Sequence, residues 1–210
     1  MRTIAHPGAH ELEVRKSRFI CTLERVASEG EAKAFVSTMR KHYWDANHNC
    51  TAWVIGSRGE LQRSNDDGEP SGTAGMPMLN VLNQRQLTDV VAVVTRYFGG
   101  TLLGAGGLIR AYGQSVSAAI DAVGIVERKE LVVILVRAGH DLAGKLDFAL
   151  RGSPWFISDV TYGVDVAFEL RLEPPDLDIF EAWLGEATSG QCAVELVGRA
   201  IVEVPLQPEP

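Results

Sequence analysis

Glycine occupies seven of the thirty-six positions from 72 to 107, on either side of the apolar run Val90-Val91-Ala92-Val93-Val94. A run of β-branched residues with no polar alternation suits a strand buried on both faces. The chain must therefore build a sheet and cover it on both sides. Each glycine in an ordered element costs roughly 0.5–1 kcal/mol relative to alanine. Clustered glycine therefore marks backbone that comes close to something: a tight turn, a neighbouring strand or a ligand. The first cluster reads Asp66-Asp67-Gly68-Glu69-Pro70-Ser71-Gly72-Thr73-Ala74-Gly75. The second, Thr95-Arg96-Tyr97-Phe98-Gly99-Gly100-Thr101-Leu102-Leu103-Gly104-Ala105-Gly106-Gly107, directly follows the apolar run.

Around these loops the periodicity predicts an ordered series of elements. Glu13 to Leu23 reads as one strand, and Glu29 to His42 as an amphipathic helix with Ala32, Phe35, Val36 and Met39 on one face. Ser28 and Glu31 have the spacing of a capping box. Thr51 to Ile55 and Glu60 to Arg63 form a hairpin across Ser57-Arg58-Gly59. A helix is expected over 73 to 84 with Pro77 in its first turn, and another over Leu108 to Val123 that stops at Gly124. Past a charged break near Val126 to Glu130, the remaining segments follow the order β-α-β-β-α-β, with strands at Leu131–Val136, 155–162, 164–172 and 193–204. That is the split βαβ, ferredoxin-like plan. Two domains are expected, residues 1–127 and 128–210, with a frayed tail from Pro205 to Pro210.

Charge divides along the same line. Residues 1–127 hold 13 Lys and Arg against 13 Asp and Glu, whereas residues 128–210 hold 7 against 14, the whole formal charge of −7. Nucleic-acid affinity rests mainly on cationic contacts, so any such contact belongs to the first half. No apolar run is long enough to cross a membrane, and the amino terminus lacks a signal-peptide core. A cytoplasmic location with no membrane contact is expected. Cys21, Cys50 and Cys192 are odd in number and widely spaced, which fits neither a disulfide framework nor a cysteine zinc site. No cofactor or metal is expected.

Each candidate motif allows more than one reading. The second loop enters a helix, where free N–H groups and the helix dipole favour an anion. It nevertheless fails both strict phosphate patterns: Ala105 stands where a P-loop needs lysine, and Ile109 where the dinucleotide fingerprint needs glycine. Asp66, Asp67 and Glu69 are oxygen ligands of the type that Mg²⁺ or Ca²⁺ takes. They equally suit turn formation or ion pairs with Arg96 or Arg110. His48 and Cys50 share a strand face at i and i+2, which allows a nucleophile pair as well as ordinary packing. Lys16, Arg18, Arg96 and Arg110, with Tyr97, Phe98 and Tyr112 nearby, have the composition of a nucleic-acid platform.

These residues carry a family resemblance. Lys16-Ser17-Arg18-Phe19, Asp45-Ala46-Asn47-His48-Asn49-Cys50, the run from Asp66 to Gly75, Thr95 to Gly100, and Leu103 to Gly113 together resemble the Impact family. The appended second domain is similar to that of its bacterial YigZ branch. The resemblance implies an α+β fold: a first domain like the second domain of ribosomal protein S5, then a ferredoxin-like domain like one from the carboxy-terminal part of elongation factor G. It also implies a translation-associated role, since eukaryotic members regulate initiation. Those members compete for a partner of a stress-activated kinase and carry an additional amino-terminal domain, and that pathway role is not expected here.

The expected function is binding of RNA, the ribosome or a translation-related protein through the 66–110 surface. Lys16, Arg18, His48, Asp66, Asp67, Glu69, Arg96 and Arg110 are the candidate contacts, with Gly99, Gly100, Gly104, Gly106 and Gly107 admitting a backbone closely. The alternatives are a hydrolase of phosphate or small acyl substrates built on Asp66, Asp67, Glu69 and His48, and a pure protein-interaction module. No catalytic residue is assigned.

Overall fold

The computed structural model describes residues 1–206, so the end of the expected tail, 207–210, lies outside the described residues. The chain divides into two units, one built from Met1–Glu127 with the segment from Val204, the other from Arg128–Glu203. The organisation is α+β, with two sheets.

In the first unit the strands are β1 (Arg2–Ile4), β2 (Gly8–Val14), β3 (Ser17–Arg25), β4 (His48–Ile55), β5 (Leu61–Asn65) and β6 (Val90–Tyr97). Strands β2 to β6 form an antiparallel sheet in the order β2-β3-β6-β4-β5, which places the valine-rich strand at the centre. Both of its faces are buried. Helices α2 (Gly75–Gln84) and α3 (Ala105–Val123) supply Met78, Leu82, Tyr112, Val116 and Ile120 to one core, against Phe19, Leu23, Val90, Ala92 and Val94. Helix α1 (Glu29–His42) covers the other face through Ala32 and Val36, against Trp53, Val91 and Val93. Each fully buried large apolar side chain contributes roughly 1.5–3 kcal/mol, which is why this strand carries no polar residue before Thr95. Half of the expected capping box is formed: Ser28 Oγ accepts from the Glu31 amide, while the Glu31 carboxylate accepts from Ala27 N–H, one residue before the cap, instead of from the Ser28 amide.

Three expectations are corrected in this unit. Glu13 to Leu23 is two strands, because Arg15 and Lys16 adopt left-handed backbone (φ 49° and 67°) and reverse the chain between β2 and β3. Such a two-residue turn matches the twist of the flanking strands. The helix after the second loop starts at Ala105, so Gly106 and Gly107 belong to its first turn. Tyr112 is fully buried, edge-on to Phe19, and has no face free for stacking.

The second unit runs β7 (Ile125–Ala138), α4 (His140–Arg151), β8 (Ile157–Tyr162), β9 (Val166–Leu172), α5 (Leu177–Thr188) and β10 (Val194–Pro205). Strand β7 begins in the first unit, where Ile125–Glu127 pair with β1, and continues into the second, where Val132–Ala138 pair with β9. The order β10-β7-β9-β8 is the ferredoxin-like one. Its core joins Ile134, Val136, Phe168 and Leu170 to Leu146, Leu150, Phe180 and Leu184 of the helices. Pro205 ends β10 as an ordered residue, and the amide of Leu206 donates to the Ile125 carbonyl at 2.9 Å.

Candidate functional site

The acidic loop after β5 is tied down by its own carboxylates. Asp66 Oδ1 accepts from the amides of Ala74 and Gly75 at 3.0 and 2.8 Å, and Oδ2 from Gly72 at 2.8 Å. Burial alone would raise its pKa, but these three donors hold the carboxyl below its usual value. Asp67 accepts from Arg40 at 2.6 Å and from the Asn49 amide at 2.7 Å. Glu69 is buried, and its Oε1 accepts from Arg96 Nη1 at 2.6 Å and from the Tyr112 hydroxyl at 2.8 Å. Asp66 and Asp67 therefore serve as internal acceptors that shape the loop. Of the expected ion pairs, the one with Arg96 is made by Glu69, whereas Asp67 pairs with Arg40 and Asp66, among the described residues, takes only backbone amides.

His48 and Cys50 do not form a nucleophile pair. His48 Nδ1 donates to the Asp67 carbonyl at 2.8 Å, and Nε2 lies 4.0 Å from Glu69 Oε1. Cys50 Sγ lies 3.0 Å from the Asp66 carbonyl oxygen and 3.3 Å from the Tyr112 hydroxyl. Burial pushes this thiol up to about 12, partly opposed by the hydrogen bond to Tyr112 and reinforced by the negative charges of Glu69, Asp67 and Asp66. A thiol so protonated is no nucleophile near neutral pH.

The glycines divide by use. A Cβ on Gly99 would lie 2.0 Å from the Lys16 carbonyl group, so this glycine serves contact with the β2–β3 turn. Its amide also donates to Ser17 Oγ. Gly100 and Gly104 have left-handed backbone and open space around them, and Gly104 precedes the first turn of α3.

Between the two loops lies a cleft of about 490 Å³. Its polar lining is Asn47, His48, Glu69 and Arg96, its apolar lining includes Pro70, Phe98, Leu102 and Leu108, and Gly104 and Ala105 bring in the start of α3. The Arg96 side chain is 7% exposed and its guanidinium carbon lies 5.4 and 5.6 Å from the centroids of the Phe19 and Phe98 rings. Of its five N–H donors, the one hydrogen bond made among the described residues is that from Nη1 to Glu69, and Nε is buried with no acceptor.

On the neighbouring surface, Arg18 makes a two-pronged pair with Glu11 at 2.7 and 3.0 Å and lies over the Tyr97 ring at 5.3 Å. Tyr97 donates to Asp45 at 2.9 Å, next to Trp44, which is 82% exposed. Lys16 and Arg110 are exposed and have no ion pair among the described residues. Trp44 and Leu102 were not distinguishable in sequence. An apolar residue after a helix, or inside a glycine loop, reads as core until its exposure is known.

A model of the Impact N-terminal domain matches residues 15–120, and a model of a domain of unknown function, DUF1949, matches residues 136–191. The chain is 47% identical over 193 residues to the IMPACT family member YvyE of Bacillus subtilis, covering 92% of this chain and 89% of that protein. It is 48% identical over 181 residues to YigZ of Escherichia coli, covering 85% and 88%. A solved structure described as a hypothetical protein is similar at a TM-score of 0.59 and 32% identity, over 93% of this chain and 96% of that one.

Proposed function

The chain belongs to the Impact family, and from that premise we propose that it is a translation-associated binding protein whose first unit contacts RNA beside the cleft. The translation link rests on the family resemblance. The RNA reading rests on one observation: Lys16 and Arg110, which make no ion pair among the described residues, flank the loop that carries exposed Phe98 and Leu102, with exposed Trp44 next to the Asp45 that holds Tyr97. Cations hold a phosphate backbone and exposed aromatic faces take unstacked bases, each base–aromatic stack contributing roughly 1–3 kcal/mol. The commitment of Asp66 and Asp67 to backbone and Arg40 favours this reading over the hydrolase.

Fluorescence anisotropy with a short single-stranded RNA, titrated with salt, tests it. Affinity falls steeply as salt rises, and Lys16→Ala with Arg110→Ala weakens binding and lowers the slope of log K against log salt by about 0.7 per lost phosphate contact. If no RNA binds while a protein from the translation apparatus stays associated after nuclease treatment, the protein-interaction reading replaces this one.

A further inference from the structure

We propose that the cleft between the 66–70 loop and the start of α3 is a binding site for a nucleoside monophosphate group, carried by a free nucleotide or by the 5′ end of an RNA. The second source rests on the RNA reading above; the first does not.

Three independent features converge on the ligand chemistry. The first is Arg96, a side chain more than nine-tenths buried that lines the cleft with Nε unmatched by any acceptor. Buried donors are nearly always satisfied, and an unmatched one is costly. The guanidinium carbon stands over the Phe19 and Phe98 rings, which offer its N–H groups no oxygen acceptor. Glu69 supplies one acceptor, to Nη1; Nε is fully enclosed, so an incoming anion is taken by the Nη groups.

The second feature is the start of α3. Leu108 N–H donates to Gly104 C=O as the first bond of the helix, so the amides of Ala105, Gly106 and Gly107 have no partner within it. No acidic side chain caps this turn. Residues 105 to 107 present nothing larger than a methyl group, and Gly104 and Ala105 line the cleft. Exposed Arg110 bends back over this turn, with Nη1 3.9 Å from where a Cβ on Gly106 would stand. A cation there sits at the positive end of the helix dipole, where it is disfavoured. A bound anion reverses that sign and draws Arg110 and the free amides together.

The third feature is the remainder of the lining. Pro70, Phe98, Leu102 and Leu108 give the cleft apolar surface beyond the anion position, and its volume lies within the roughly 300–1,000 Å³ typical of small-ligand sites. Phe98 and Leu102 are 44% and 82% exposed and offer a flat base something to lie against. Glu69, the one carboxylate of the lining, does not repel the phosphate strongly, because Arg96 and the Tyr112 hydroxyl already hold its charge. An apolar ligand without charge leaves Arg96 and the α3 amides unmatched, and inorganic phosphate alone leaves the apolar lining exposed.

The test uses the full chain, with AMP and adenosine as free ligands and one short RNA made with a 5′-phosphate or a 5′-hydroxyl. AMP binds about tenfold or more tightly than adenosine, the yield of charged hydrogen bonds, and Arg110→Ala removes most of that difference. Arg110 is exposed and makes no ion pair among the described residues, so the variant keeps its melting temperature. If the 5′-phosphate RNA binds better than its 5′-hydroxyl form, an RNA end is a ligand. If AMP binds and neither RNA does, the site takes free nucleotides and the RNA reading falls while this one stands. Both RNAs binding equally, with AMP no better than adenosine, overturns the cleft proposal and leaves the RNA reading intact.

Discussion

Asp66 organises its loop by accepting three backbone N–H groups. Asp66→Ala is expected to cost about 2 kcal/mol, the scale of hydrogen bonds to a charged group, read as a shift in the denaturant midpoint. Because the folded carboxyl sits below its usual pKa, its contribution is complete above about pH 4 and fades as pH drops through the depressed value. Asp66→Asn should therefore flatten the acid limb of the stability profile while lowering stability at neutral pH. Cys50 makes the opposite kind of prediction. With its thiol held protonated up to about 12, it should resist iodoacetamide at pH 8 in the native protein and react once denaturant opens the fold. At this scale the sequence was partly readable. The acidic motif announced itself, but whether its oxygens faced solvent or backbone depended on a loop path that no periodicity encodes. Arg15 and Lys16 hid their turn for a related reason: neither is a residue that signals left-handed backbone.

Elements were far more legible than contacts between them. The run from Val90 to Val94 demanded cover on both faces and received it from α1 on one side and from α2 and α3 on the other. Ser28 and Glu31 marked the start of α1 because capping is local chemistry. Ser28→Ala should cost about 1 kcal/mol, measurable by chemical denaturation. Gly99 shows the limit of local reading. Its glycine was evident, yet its reason lies across the sheet, in the Lys16 backbone. Gly99→Ala would force a methyl group into that carbonyl, and a loss of about 3 kcal/mol or more is expected, beyond the usual range for overpacking. Gly100→Ala meets no neighbour and suffers only from its φ of 82°, so thermal melts of the two variants should separate steric from torsional cost.

Over the whole molecule, the hydrophobic clusters segregate by unit, Phe19, Leu82 and Tyr112 in one and Leu146, Phe168 and Phe180 in the other. Calorimetry should resolve two transitions. Leu82→Ala and Phe180→Ala, each about 3–4 kcal/mol, should each move a different one. The charge division legible in the sequence falls on these same units, leaving the acidic excess with residues 128–210. What composition did not reveal is how the chain is threaded. It leaves the first unit within β7 and returns at Val204, where the Leu206 amide meets the Ile125 carbonyl. Departure and return are thus stitched at one seam, and the ferredoxin-like body behaves as an insert rather than an appendage. Ending the chain before Val204 is therefore expected to open that seam and loosen the mooring of β10, whereas excising the body and rejoining the seam with a short bridge is expected to leave the rest of the first unit folded, both read by circular dichroism and thermal melts.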